Sequence, residues 1–138
     1  MAESIEGSCL CGAVRFVLTG AVASGANCHC RQCRKISGSA HATNLYALPE
    51  AVRFTAGEAL LQRFEVPGRD FQNVFCSRCG SGLPHLDRAA ETMVIPAGSL
   101  DGEPSVGRFV QTFLDEQPEW SRRAETGERH PGWPDDAE

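Results

Sequence analysis

Residues 76–80 read Cys76-Ser77-Arg78-Cys79-Gly80, a pair of thiols two residues apart closed by a glycine. Cysteines at this gap reach one tetrahedral ion from a single tight turn, a spacing that recurs in zinc sites. Near the start of the chain, Cys9 and Cys11 form a C-x-C followed by Gly12 and offer a matching half. Together the two pairs close a four-sulfur cage. One ion in it would clamp the amino-terminal strand to the middle of the chain. Glycines at 12, 80 and 82 are expected to take positive φ, so that amide N–H groups turn toward the sulfurs. Those donors matter because four thiolates around one zinc leave a net charge of about −2.

The remaining three of the seven cysteines, Cys28, Cys30 and Cys33, form a C-x-C-x-x-C. They supply three ligands from one short stretch and leave the fourth position open. A closed cage is structural, whereas an open coordination position is where chemistry happens. A fourth protein ligand has to be His29, His41, His85 or His130. Adjacent side chains diverge, so His29 is expected behind the ligands or facing solvent; His41 either approaches the site or sits in core or surface. His85 and His130 carry no spacing signal. If no histidine binds, the position belongs to water or to a substrate atom. Disulfides fit poorly: an odd count leaves one thiol over, and bridging Cys9 to Cys11 or Cys28 to Cys30 closes a very small, strained ring. The expectation is two zinc ions per chain.

The chain of 138 residues with 41% hydrophobic content can bury one modest core, supplemented by metal. We expect one domain over 1–126 and an irregular acidic tail over 127–138. The formal charge of −5 argues against a nucleic-acid partner, because phosphate binding needs clustered positive charge. Arg31, Arg34 and Lys35 are a local exception, read either as a solvated face or as a patch that attracts an anionic substrate. The opening MAESIEGS has no basic or apolar signal region, and no apolar run approaches the ~18 residues of a membrane span. A reducing, cytoplasmic setting without membrane association is expected.

Short apolar-rich runs punctuated by Pro49, Gly57, Pro67-Gly68 and Pro96–Gly98 predict hairpins. Strands are expected over Ala13–Leu18, His41–Leu48, Ala51–Thr55, Leu60–Val66, Asp70–Phe75 and Thr92–Ile95, with Val106–Leu114 leaning to strand by alternation. Helix is expected only over Arg31–Ser37 and Pro118–Ala124, with Pro118 in the first helical position. Phe75 is expected in the core beside the second cysteine pair. Trp120 and Trp133 are read as covering a pocket mouth or closing a core edge.

Three thiolates already donate much charge to zinc, so the triplet is a weaker water activator than a three-histidine site. It suits the capture and release of a soft thiolate, with zinc lowering the thiol's pKa or one cysteine detaching to react. The reading that follows is an enzyme acting on a small thiol. A non-catalytic zinc-binding interaction module and a thiol or redox sensor are the alternatives.

The segments Gly7–Phe16, Cys28–Arg34, Phe75–Gly80, Gly98–Asp101 and Pro118–Trp120 resemble the glutathione-dependent formaldehyde-activating enzyme family, which includes centromere protein V. The resemblance runs from about residue 7 to 120. It implies a mainly β, small single-domain Mss4-like (β-tent) fold with little helix. It also implies a structural zinc at Cys9, Cys11, Cys76 and Cys79, and a catalytic zinc at Cys28, Cys30 and Cys33. The implied activity is that of a carbon–sulfur lyase interconverting formaldehyde plus glutathione with S-(hydroxymethyl)glutathione, with Cys30 as the cysteine that reacts with or yields to the substrate sulfur.

Overall fold

The computed structural model describes residues 3–135; the first two residues of the amino-terminal stretch and the last three of the expected tail lie outside it. Among the described residues the strands are β1 (Ser4–Ser8), β2 (Arg15–Thr19), β3 (Val22–Cys28), β4 (Ala42–Ala47), β5 (Val52–Ala56), β6 (Leu61–Glu65), β7 (Gln72–Cys76), β8 (His85–Leu86), β9 (Met93–Pro96) and β10 (Val106–Thr112). The helices are α1 (Arg31–Ser37), between β3 and β4, and α2 (Glu119–Glu125), after β10. The fold is mainly β with little helix, as the sequence implies.

Three sheets share the work. A three-stranded antiparallel sheet runs β1-β2-β5, a five-stranded one runs β10-β3-β4-β9-β8, and β6-β7 is a hairpin. Alternation explains the inward face of the first sheet: Phe16 and Leu18 on β2 are 1% exposed while Arg15 and Thr19 face water. Phe16, Val14, Cys9, Cys76 and Leu83 form one buried group, and Leu18, Val22, Leu45, Met93 and Ile95 form another. Val52 and Leu100 pack against both, joining them into one core between the two larger sheets. Burying Phe16 contributes on the order of 2–3 kcal/mol by area, so replacing it with alanine is costly.

Most expected strands appear within a residue or two, and α1 occupies the expected span. Strands β1, β3 and β8 were not anticipated. The sequence of β3, VASGANC, is poor in β-formers because small residues are required where β10 and β4 flank it on both sides. Gly25 pairs with Leu45 on one side and Phe109 on the other. A Cβ there would lie 2.9 Å from Leu45 Cδ2 and 3.0 Å from Phe109 Cζ, so the neighbours' side chains close over the glycine. Pro118 is the residue capping α2 rather than its first helical position. Phe75 is only half-buried, since Val74 and Cys76 take the inward face of β7. Residues 127–135 form neither helix nor strand.

Candidate metal centres

The two outer cysteine pairs come together. Cys9 and Cys11 lie in the loop after β1, Cys76 ends β7, and Cys79 follows in the next turn. All four sulfurs lie within 4.8 Å of one another. Cys9 and Cys11 Sγ are 3.6 Å apart, and Cys11 and Cys76 Sγ are 3.9 Å apart. Four sulfurs at the ordinary Zn–S length of ~2.3 Å occupy tetrahedron corners about 3.8 Å apart, so the set fits such an ion.

The two loops are built alike. Gly12 N–H donates to Cys9 O at 3.0 Å, and Gly80 N–H donates to Cys76 O at 2.8 Å. Both glycines have positive φ, 78° and 79°, which closes each turn without Cβ strain. Gly82 does not share this conformation: it bridges in extended pairing to Phe75, which explains its place without a left-handed turn. Amide donors reach the sulfurs as required, from Val14 to Cys9 at 3.3 Å and from Arg78 to Cys76 at 3.4 Å. The Ser81 hydroxyl beside Cys79, followed by the Cys11 amide, draws that thiol down to about 5. The contacts of Cys79 thus favour its thiolate, the form a metal takes, whereas Cys11, despite the Ala13 amide that draws it down, is pushed up to about 11 by the crowding sulfurs, Cys9 first.

The triplet is a separate cluster whose three sulfurs also lie within 4.8 Å of one another. Cys28 ends β3, Cys30 caps α1, and Cys33 sits in its first turn. The Cys30 sulfur accepts the Cys33 N–H at 3.4 Å, doing the work of an N-cap oxygen. Burial, then the neighbouring sulfurs of Cys28 and Cys30, pushes the Cys33 thiol up. Three thiolates in so small a space need a cation to offset their charge, so this donor set also fits a soft metal ion.

No histidine completes this cluster among the described residues. His29 is 1% exposed and turns away, with Nε2–H donating to Gln111 Oε1 at 2.7 Å; it does not face solvent. The half-buried His41 packs edge-on against it, ring centroids 4.9 Å apart. His130 is paired with Glu128 at 3.2 Å, far along the chain.

A cleft of about 1880 Å³ opens over the triplet and continues toward the first cluster. That is larger than a typical ligand pocket, so the groove has room for an extended substrate. Arg31 and Lys35 line it, whereas Arg34 is held structurally, donating to the carbonyls of His29 and Glu116. The patch thus divides: two cations face the cleft and one braces the loop. Glu116 also lines the cleft, and its carboxylate accepts the Arg31 N–H at 3.1 Å. The tip of the β6–β7 hairpin forms the opposite wall, where Arg69 donates to Gln32 Oε1 on α1. Trp120 and Trp133 are 55% and 87% exposed and do not line this cleft, so neither covers its mouth nor closes the core.

Tyr46, Asn44 and His85 also line the cleft, although no motif in the sequence marks them as site residues. Period-two alternation around Leu45 held the signal, because a buried Leu45 sends Asn44 and Tyr46 to the other face of β4.

Residues 4–116 match the family described as glutathione-dependent formaldehyde-activating enzyme. A protein of Halomonas elongata, provisionally named as such an enzyme, is 32% identical over 123 residues, covering 84% of this chain and 78% of its own. The crystal structure of a Rhodobacter sphaeroides protein aligns with a TM-score of 0.57 at 24% identity, over 73% of this chain and 98% of that one, a likeness of fold. The match over residues 4–116 spans both cysteine clusters and the cleft they border, and the chain belongs to the glutathione-dependent formaldehyde-activating enzyme family.

Proposed function

We propose that the chain is a zinc-dependent carbon–sulfur lyase-type enzyme that interconverts formaldehyde and glutathione, or a related small thiol, with the S-hydroxymethyl adduct. The observation that carries this reading is the three-sulfur cluster at Cys28, Cys30 and Cys33, with no histidine to complete it among the described residues, opening on a cleft bordered by Arg31 and Lys35. The four-sulfur cluster at Cys9, Cys11, Cys76 and Cys79 is assigned a structural ion. The family match supports the substrates named.

When bound at the triplet, zinc supplies a Lewis acid that favours the thiolate form of an incoming thiol. Arg31 and Lys35 attract the thiol's carboxylates and offset the negative charge of the sulfur cluster. Cys28 keeps its place through strand pairing with Ala42 and Thr112, and Cys33 through the packing of α1 against β4. Cys30 is the residue we assign to yield its position to, or react with, the substrate sulfur, since it sits at the start of α1 rather than within an element. In the addition the sulfur forms a bond to the formaldehyde carbon, the carbon–oxygen π bond breaks, and the thiol's proton ends on the new hydroxyl. The reverse direction returns that proton and releases formaldehyde.

Exchange NMR of formaldehyde with glutathione tests this. Added protein is expected to increase the interconversion rate over buffer, and no increase at stoichiometric protein would sink the glutathione version.

A further inference from the structure

One face of the five-stranded sheet forms the floor of the cleft. The register places Cys28 opposite Ala42, Ala26 opposite Asn44, and Ser24 opposite Tyr46. Side chains two apart on β4 share a face, so Ala42, Asn44 and Tyr46 project on the same side as Cys28. Leu45, between them, is 1% exposed and points into the core. On the far side of β4, Val94 pairs with Tyr46 and His85 with Val94. Asn44, Tyr46, Val94 and His85 all line the cleft.

The floor carries several hydroxyls, and that of Thr112, at the triplet end, donates to Asn27 O at 3.5 Å. The Thr43 hydroxyl, at the border of the cleft, donates to Asn27 Oδ1 at 2.7 Å. The Tyr46 hydroxyl makes no hydrogen bond to any described residue, although its ring is half-buried. Burial, then the charges of Cys28 and Cys33, pushes this phenol above its usual range, so it keeps its proton at neutral pH. Tyr46 lies on the same strand face as Ala42, the residue opposite Cys28, so its side chain shares the cleft floor with the triplet.

We propose that Tyr46 is a catalytic residue that donates a hydrogen bond to the oxygen of the hydroxymethyl group as the carbon–sulfur bond forms and breaks. The inference rests on the thiol–formaldehyde reading above. As the substrate sulfur bonds to carbon, the π electron pair moves onto oxygen, and the developing oxyanion is met by the Tyr46 O–H. The oxyanion then takes from solvent the proton that the thiol gave up. The phenol keeps its own proton throughout and serves as a fixed donor aimed at charge that exists only in the transition state. His85, beyond Val94, is two strands farther from the sulfurs than Tyr46 and takes no part in this step.

Tyr46 is the chain's single tyrosine, so one ¹³C-labelled residue gives one signal in the intact zinc-loaded protein. Adding glutathione with formaldehyde is expected to shift that signal beyond the effect of glutathione alone. Tyr46→Phe is expected to lower kcat in the exchange assay about 100-fold, with zinc per chain unchanged and KM for glutathione within about twofold, as a transition-state contact requires. If wild type accelerates exchange and Tyr46→Phe keeps its rate within twofold, or the tyrosine signal ignores the adduct, the Tyr46 assignment is overturned and the reaction reading stands. If wild type gives no acceleration, the reaction reading fails and the catalytic role of Tyr46 falls with it, even where the signal still shifts.

Discussion

His29, flanked in sequence by two cysteines of the triplet, is bonded to Gln111 on the neighbouring strand, Nε2 to Oε1 at 2.7 Å. The same residue is tied at its backbone, its N–H donating to Thr112 O at 3.0 Å and its carbonyl accepting from Arg34 Nε at 3.2 Å. A buried imidazole thus fastens the ligand loop to β10 from behind. His29→Ala leaves a cavity and an unpartnered Gln111, and is expected to cost about 2–4 kcal/mol. Zinc should leave the triplet faster while the four-sulfur site is unchanged, giving a biphasic release to a chromophoric chelator whose fast phase alone accelerates.

The two sulfur clusters differ in what their loss does to the fold. Structural zinc sites contribute roughly 10–16 kcal/mol of apparent binding energy, as much as or more than the ~5–15 kcal/mol that keeps a domain folded. Cys76, 0% exposed and part of the first core group, is therefore expected to unfold the protein on substitution by serine. Cys30→Ser keeps a good capping residue at the start of α1, so the helix survives. Zinc per chain should fall from near two to near one with circular dichroism unchanged. An unchanged two, or unfolding, would defeat the division into a clamp and an open site.

Local spacing made the clusters legible in the sequence. Cys28, Cys30 and Cys33 converge because one strand end and one helical turn carry them, and no distant partner is needed. The helix over Arg31–Ser37 was legible for the same reason. Long-range pairing was not. Strand β3 owes its place to Leu45 and Phe109 closing over Gly25, and no local propensity announces that. The burial of His29 depends on Gln111, 82 residues away in the chain. Arg34 looked equal to Arg31 until its partners, the carbonyls of His29 and Glu116, separated a brace from a cleft cation.

His85 provides a pH readout away from the sulfurs. Burial lowers its pKa below the ordinary 6.5, and Arg63 acts in the same direction; the Leu83 carbonyl, Asp70 and Asp87 oppose them. A histidine whose folded pKa is depressed binds fewer protons folded than unfolded. Its contribution to stability is therefore complete above pH 6.5 and is lost as pH falls toward the folded value. The imidazole ¹H–¹³C titration of His85 should have its midpoint below 6.5. His85→Gln should flatten the fall in Tm through that window, and a midpoint at or above 6.5 would contradict the assignment.

Arg31 and Lys35 face the cleft beside the triplet, and the Glu116 carboxylate that borders them accepts the Arg31 backbone N–H. Exposed cations of this kind act mainly on encounter and ground-state binding, and salt screens them over about 8–10 Å. Arg31→Gln with Lys35→Gln is expected to raise KM for glutathione roughly 3- to 10-fold with kcat nearly unchanged, since each exposed charge is worth about 0.3–0.7 kcal/mol. Wild-type KM should climb with added salt while the double variant stays flat. For a neutral thiol such as 2-mercaptoethanol, which carries no carboxylate, the two proteins should show the same KM. A matching rise with both thiols would mean that the two cations support the loop rather than recognise charge.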